Sequence, residues 1–182
     1  MSSVSRLAAA VAGGAWLALL AAGCDGEVRR THLPDGRLWS EVRYVRGLPN
    51  GRMTAWHTNG IKAREGEYVD GHQHGTWRIW GEDGTPMLET PYVRGHVTGT
   101  SRGWYTNGSP RFRGEFVDGR PSGPWVEYFD DGGISIRGHY LNGERHGVWH
   151  AWHRDGSPKG GARYDNGRYM NKVQPPPRPE IP

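Results

Sequence analysis

The chain has one cysteine, Cys24, in 182 residues. A single thiol excludes an intrachain disulfide and a cysteine-rich zinc site, so neither can staple the fold. Aliphatic side chains are scarce as well. Between His32 and Asn171 there are 17 Leu, Ile and Val against 19 aromatics, made up of 8 Trp, 8 Tyr and 3 Phe. A sandwich or barrel core leans on aliphatics. Here rings must supply most of the buried area, at roughly 150–250 Å² each. After Gly23 no apolar period of 3.6 residues runs for a useful length, which argues against helices. Charge of one sign is not gathered anywhere: the formal net charge is +4, and basic and acidic residues are interspersed. That pattern describes a solvated surface and speaks against nucleic-acid binding. There is no GxxxxGK[ST] phosphate loop, and no Ser or Cys nucleophile stands near a legible base. The chain is therefore expected to have no catalytic residue, to need no cofactor, and not to be an enzyme.

What is abundant is periodic. From Tyr44 onward an aromatic falls on every twelfth residue: Tyr44, Trp56, Tyr68, Trp80, Tyr92, Trp104, Phe116, Tyr128, Tyr140, Trp152 and Tyr164. Glycine makes up 29 residues, and its excess keeps twice that period. Gly36, Gly60, Gly84, Gly108, Gly132 and Gly156 each follow an Asp or Asn. Two more series share the spacing of 24, Gly47 to Gly167 and Gly51 to Gly147. Self-similarity at a fixed period of this size marks a repeat architecture. Six copies run over residues 32–171. The segments Gly66–Gly84 and Gly138–Gly156 agree at nine positions, all glycine, aromatic or turn residues.

Each copy carries two turn signals and so holds two strands. The Asp/Asn-Gly pair marks a short hairpin turn. The second turn reads as longer, from Val69 to Gly75, leaving strands of about 5–7 residues. A three-residue loop Glu82-Asp83-Gly84, with Gly84 left-handed, would pair Trp80 with Pro86 and keep Trp80 and Tyr92 on one face. The twelve-residue beat then forms one aromatic face, with Trp77, Trp125 and Trp149 on the other. Nine histidines raise the question of a metal. The densest group is His139, His146, His150 and His153. By the spacing His146 and its counterpart His74 fall in the same turn of the repeat, and His150 and His153 fall on opposite faces of a strand. A structural site needs about four converging ligands, so no metal is expected.

The pattern G-x-[YF]-x-x-G-x-x-x-G-x-W occurs at Gly66–Trp77, Gly114–Trp125 and Gly138–Trp149. It resembles the MORN repeat, and more closely the bacterial variant found in proteins named YwqK-family antitoxins. The resemblance covers residues 32–171. It implies an all-β, elongated, single-layer antiparallel meander of about six hairpin repeats, and no catalytic residue. Departures are Thr90 for the first glycine, Ser101 for the last Trp, and degenerate end copies of the kind capping repeats show. In eukaryotic relatives the repeats are linked to membranes, dimers and scaffolds, and the antitoxin label adds an immunity-like role as a family expectation.

The amino terminus has its own resemblance. An apolar run, Leu7 to Gly23, ends in LLAAGC. This is similar to the lipobox of bacterial lipoprotein signal peptides, with Ala21 where the family prefers Leu. The resemblance implies a helical signal peptide over residues 1–23, cleavage before Cys24, and acylation of its thiol. Two acyl chains anchor stably where one does not. Residues 24–31 would be a polar tether, and the repeats would stand at a membrane of the bacterial cell envelope. Asp25 resembles the inner-membrane retention signal of enteric bacteria, but other lineages read different residues, so the particular membrane stays open. Residues 172–182 hold a Pro-rich run expected to be extended and disordered. A surface without chemistry leaves two functions: a protein-binding or scaffold module with an envelope protein as partner, or a glycan- or cell-wall-binding module that stacks sugars on its rings.

Overall fold

Both turns of the repeat are built on backbone that only certain residues accept. The computed structural model describes residues 26–179. Cys24, Asp25 and the segment expected as a signal peptide lie outside these. In the turns that carry the Asp/Asn-Gly pair, the amide of Gly84 donates to the Gly81 carbonyl at 2.9 Å and the amide of Gly81 to the Thr85 carbonyl at 2.9 Å. Gly84 has φ +82°. This is the expected three-residue loop with a left-handed third residue. The preceding Asp or Asn is needed because its side chain accepts the amide two residues on: Asp83 Oδ1 from Thr85 at 2.9 Å, with the same bond at Asp35, Asn59, Asn107, Asp131 and Asp155. The second turn differs from the expectation. Asp70 and Gly71 both have positive φ, and Val69 pairs directly with His72. It is thus a two-residue turn of the type that matches strand twist, shorter than the first and not longer.

Short turns leave long strands, of eight or nine residues in most cases instead of the expected five to seven. In chain order they are β1 (Glu27–His32), β2 (Leu38–Val45), β3 (Leu48–Trp56), β4 (Lys62–Val69), β5 (His72–Trp80), β6 (Pro86–Val93), β7 (His96–Val97), β8 (Gly99–Trp104), β9 (Pro110–Val117), β10 (Arg120–Tyr128), β11 (Ile134–Leu141), β12 (Glu144–Trp152), β13 (Pro158–Asp165) and β14 (Arg168–Val173). All join one sheet in which each strand pairs antiparallel with its sequence neighbours; β7 pairs only with β6, and β6 continues to β8. The fold is an all-β, single-layer meander, as expected. His74 and His146, read as turn residues, lie inside β5 and β12.

The one-face aromatic ladder does not form. Trp80 does pair with Pro86, but the next pair is Ile79 with Leu88, so Met87 is an extra residue. The same shift recurs at Trp56, Trp104, Tyr128 and Trp152. A bulge of one residue reverses the alternation. The beat is therefore split. Tyr68 and Tyr92 lie against Trp77, at centroid distances of 5.0 and 6.4 Å. Trp80, three residues on in β5, faces the opposite side, where Lys62 Nζ sits 5.1 Å from its centroid.

The two ends also differ from expectation. Residues Glu27–Thr31 are not a tether but part of β1, paired with β2 from Glu27↔Tyr44 onward. Lys172 and Val173 belong to β14, and residues 174–179 lie back on the sheet: Trp152 Nε1 donates to the Pro176 carbonyl at 2.9 Å, and Arg178 Nη1 to the Arg154 carbonyl at 3.1 Å.

Candidate interaction faces

Alternation along the strands sorts the side chains onto two faces of opposite chemistry. The first is the ring face. Each Trp of the repeat pattern lies flat on the glycine opposite it, Trp77 on Gly66, Trp125 on Gly114 and Trp149 on Gly138. A Cβ on any of these glycines would overlap the indole. Trp77 and Trp149 donate their indole N–H to the carbonyls of Glu67 and His139, at 3.2 and 3.1 Å. Trp125 turns differently: it stacks on Phe112 at 5.6 Å and donates to Glu127 Oε1 at 2.9 Å. In the third copy the pair is Thr90 and Ser101, both buried. There the aromatic chain breaks. Tyr68, Trp77 and Tyr92 touch on one side of it, and Phe116, Trp125, Tyr140 and Trp149 on the other. Edge-to-face contacts of this kind add about 0.5–1.5 kcal/mol beyond area burial. The ring face thus uses most of its aromatics to hold a single layer together.

The second face is charged. Cross-strand partners form one row across the sheet: Arg30, Glu41, Thr54, Glu65, Arg78, Glu89, Arg102, Arg113, Val126, Arg137 and His150. Its first half is neutralised pair by pair. Arg30 meets Glu41 at 2.7 Å, Arg52 and Lys62 meet Glu65 at 2.8 Å, and Arg78 and Arg102 meet Glu89 at 3.0 and 3.3 Å. The hydrogen bond from Lys62, with that from Arg52, holds the Glu65 carboxyl below its usual range. In the second half the sign changes. At one repeat position stand Glu41, Glu65 and Glu89, then Arg113 and Arg137. Arg102 and Arg113 are direct cross-strand partners. Among the described residues Arg113 and Arg137 have no carboxylate partner, and both are exposed. Burial, with the charge of Arg137, lowers the pKa of His150. Trp56, Trp80, Trp104, Tyr128 and Trp152 border this face along the rim of Asp/Asn-Gly turns.

Both rims are stitched from copy to copy. The amide of Gly71 donates to the Pro49 carbonyl at 2.8 Å, and the bond recurs at Gly95, Gly119, Gly143 and Gly167. On the other rim Asn59 Nδ2 reaches the Glu82 carbonyl at 2.6 Å and Asn107 Nδ2 the Asp130 carbonyl at 2.7 Å. Arg154 lies over Phe129, 5.1 Å from its centroid, and pairs with Asp130.

The structure thus places Tyr44, Tyr68, Tyr92, Phe116, Tyr140 and Tyr164 on the ring face by register, and the alternate aromatics of the beat on the charged one. The turn glycines Gly36, Gly60, Gly84, Gly108, Gly132 and Gly156 all have positive φ. Among the described residues no group of three or more His, Cys, Asp or Glu is placed to hold a metal. Sequence reading missed the charged row. Its signal was present as the Glu41, Glu65, Glu89, Arg113, Arg137 series, but the two-fold alternation had to be phased before these residues could be seen to share a face. In comparison with known proteins, no family model and no curated protein matches this chain.

Proposed function

We propose that the chain is a MORN-type repeat lipoprotein, anchored through Cys24 to a bacterial envelope membrane, whose charged face binds an acidic surface of another envelope protein. The observation that carries this reading is the change of sign along the charged row. Three glutamates neutralise the first half, and two arginines take their place in the second, leaving Arg102 opposite Arg113. Like charges directly opposite each other destabilise a sheet, so the fold itself gains nothing from the arrangement. A partner with carboxylates would gain, and Arg is among the residues enriched at interface centres. The ring face is less suited, because its rings are engaged with each other. An antitoxin- or immunity-like role is one form such binding could take. The alternative, a glycan or cell-wall ligand stacked on rings, has Trp39 in its favour, which is 52% exposed.

Crosslinking in cells tests this. Wild type should yield a reproducible protein adduct, reduced at least ~10-fold by the pair Arg113→Glu and Arg137→Glu. Cys24→Ala, which should lose incorporated palmitate, should weaken the adduct by releasing the chain from the membrane. An unchanged adduct in the Arg variant rejects the charged face. Absence of any adduct, with purified repeats sedimenting with peptidoglycan, favours the glycan ligand.

A further inference from the structure

Among the described residues no strand pair follows β14 to cover the rim of the sixth copy, and the Pro-rich segment 174–179 takes that place in register. In earlier copies a rim aromatic or histidine bonds to the beat carbonyl of the next copy: His57 Nε2 to Trp80 at 2.9 Å, Tyr105 Oη to Tyr128 at 2.7 Å. Pro176 stands where the next beat residue would fall, 24 after Trp152, and its carbonyl takes the Trp152 indole N–H. Trp152, at 2% exposure, is the most buried hydrophobic residue among the described residues. Pro175 is buried too. The seat is formed by Trp152, His150, Val148 and Arg137, with the His150 ring edge-on to Trp152 at 5.7 Å. Beside it Arg178 enters a slot lined by Asp131, Gly133, Asp155 and Gly156. The Arg178 guanidinium lies directly over Gly133, where a Cβ would make it shift.

We propose that this seat is a binding groove for proline-rich peptides bearing an arginine, with the tail as its resident occupant and a Pro-Pro-x-Arg segment of a partner protein as its competing ligand. The proposal rests on the protein-binding reading above and names a second contact, which adjoins the charged row at Arg137 and His150. The chemistry is that of a generic proline-rich ligand. Prolines have preset φ and lose little entropy on docking, they pack on an indole, and their carbonyls accept its N–H. Arginine between two acidic turns supplies direction and specificity. The tail is replaceable because it adds no strand to the ladder. Among the described residues only two hydrogen bonds tie residues 174–179 to the repeats. A tethered segment of this length competes at an effective concentration on the order of mM, so it masks the groove from weak ligands and yields to strong ones.

The test uses the full chain with Pro175, Pro176, Pro177 and Arg178 all changed to Gly, which vacates the seat and leaves the repeats untouched. A labelled peptide of residues 174–179, Gln-Pro-Pro-Pro-Arg-Pro, is titrated and followed by anisotropy. It should bind the vacated chain at least ~10-fold more tightly than wild type, and Arg→Glu in the peptide should remove that gain. Full-length Arg178→Glu, a gentler variant, should bind with intermediate affinity. Equal affinity for wild type and both variants, or none for any, overturns the groove. Dimers of wild type that exchange tails at working concentration also overturn the proposal, since the ligand would then be a second copy. Peptide binding without any crosslinked partner would leave the groove standing and sink the protein-binding reading, and the reverse pattern would do the opposite.

Discussion

The third and fifth copies solve one packing problem with volume divided differently between the two strands. In the fifth, Gly138 has no side chain and Trp149 fills the space over it. In the third, Thr90 and Ser101 share the space more evenly, and both are buried. The first copy uses Val42 and Met53 in the same way. The pattern positions are thus not independent; a glycine is required where the partner is Trp. The exchange has a consequence. With no ring at Ser101, the aromatic chain is interrupted, and Pro91 in β6 has no amide proton to give the ladder where Glu67, Glu115 and His139 do. The strand beyond it divides into β7 and β8 around Thr98. The opposite face differs as well, with Glu89 in the third copy and Arg137 in the fifth. One repeat sequence therefore makes a tightly packed copy and a looser one.

The largest test of this contrast removes volume. Trp149→Ala should destabilise by about 3–5 kcal/mol, the range for a buried large ring. Ser101→Ala should be near neutral or slightly stabilising, because Ser101 Oγ is buried with no hydrogen-bond partner and such a group carries its desolvation penalty. Urea unfolding of both variants checks this; equal losses would mean the two copies are packed alike.

A second test exchanges the two solutions. Gly138→Thr alone places a side chain inside the indole and should cost about 1–3 kcal/mol. Adding Trp149→Ser rebuilds the third copy's pair in the fifth. The double variant should lose less than the sum of the singles, with a coupling of about 0.5–3 kcal/mol. Strict additivity would break the claim that volume is traded between these strands.

The smallest effect lies on the charged face. Arg113→Glu should stabilise by about 0.2–1 kcal/mol, as a like-charge pair with Arg102 becomes an opposite one. Glu89→Arg should destabilise by a similar amount, because it strips Arg78 and Arg102 of their carboxylate. Both shifts should shrink in high salt. If Arg113→Glu instead destabilises, the row is a structural feature and the argument for an acidic partner loses its footing.

The period of 24 and the two turns and two strands per copy could be read from the order of residues alone, and the single-layer meander followed from the resemblance that this pattern carries. Turn chemistry is local: Asp83 and Gly84 determine their loop through one side-chain bond and one backbone angle, with nothing distant involved. Face assignment could not be read this way. It depends on a single extra residue, Met87, opposite Trp80, and a bulge leaves no composition signal because it is a property of how two strands align. That bulge and its counterparts at Trp56, Trp104, Tyr128 and Trp152 send alternate aromatics of the beat to the other side, and at Met87 it leaves Tyr92 on the face of Trp77 and Trp80 on the other. The ends were decided by tertiary structure for a related reason. Glu27–Thr31 reads as part of a polar tether, and joins β1 only because β2 offers it an unpaired edge. The tail is a proline run by sequence, and its place on Trp152 exists because the last copy ends with an uncovered indole.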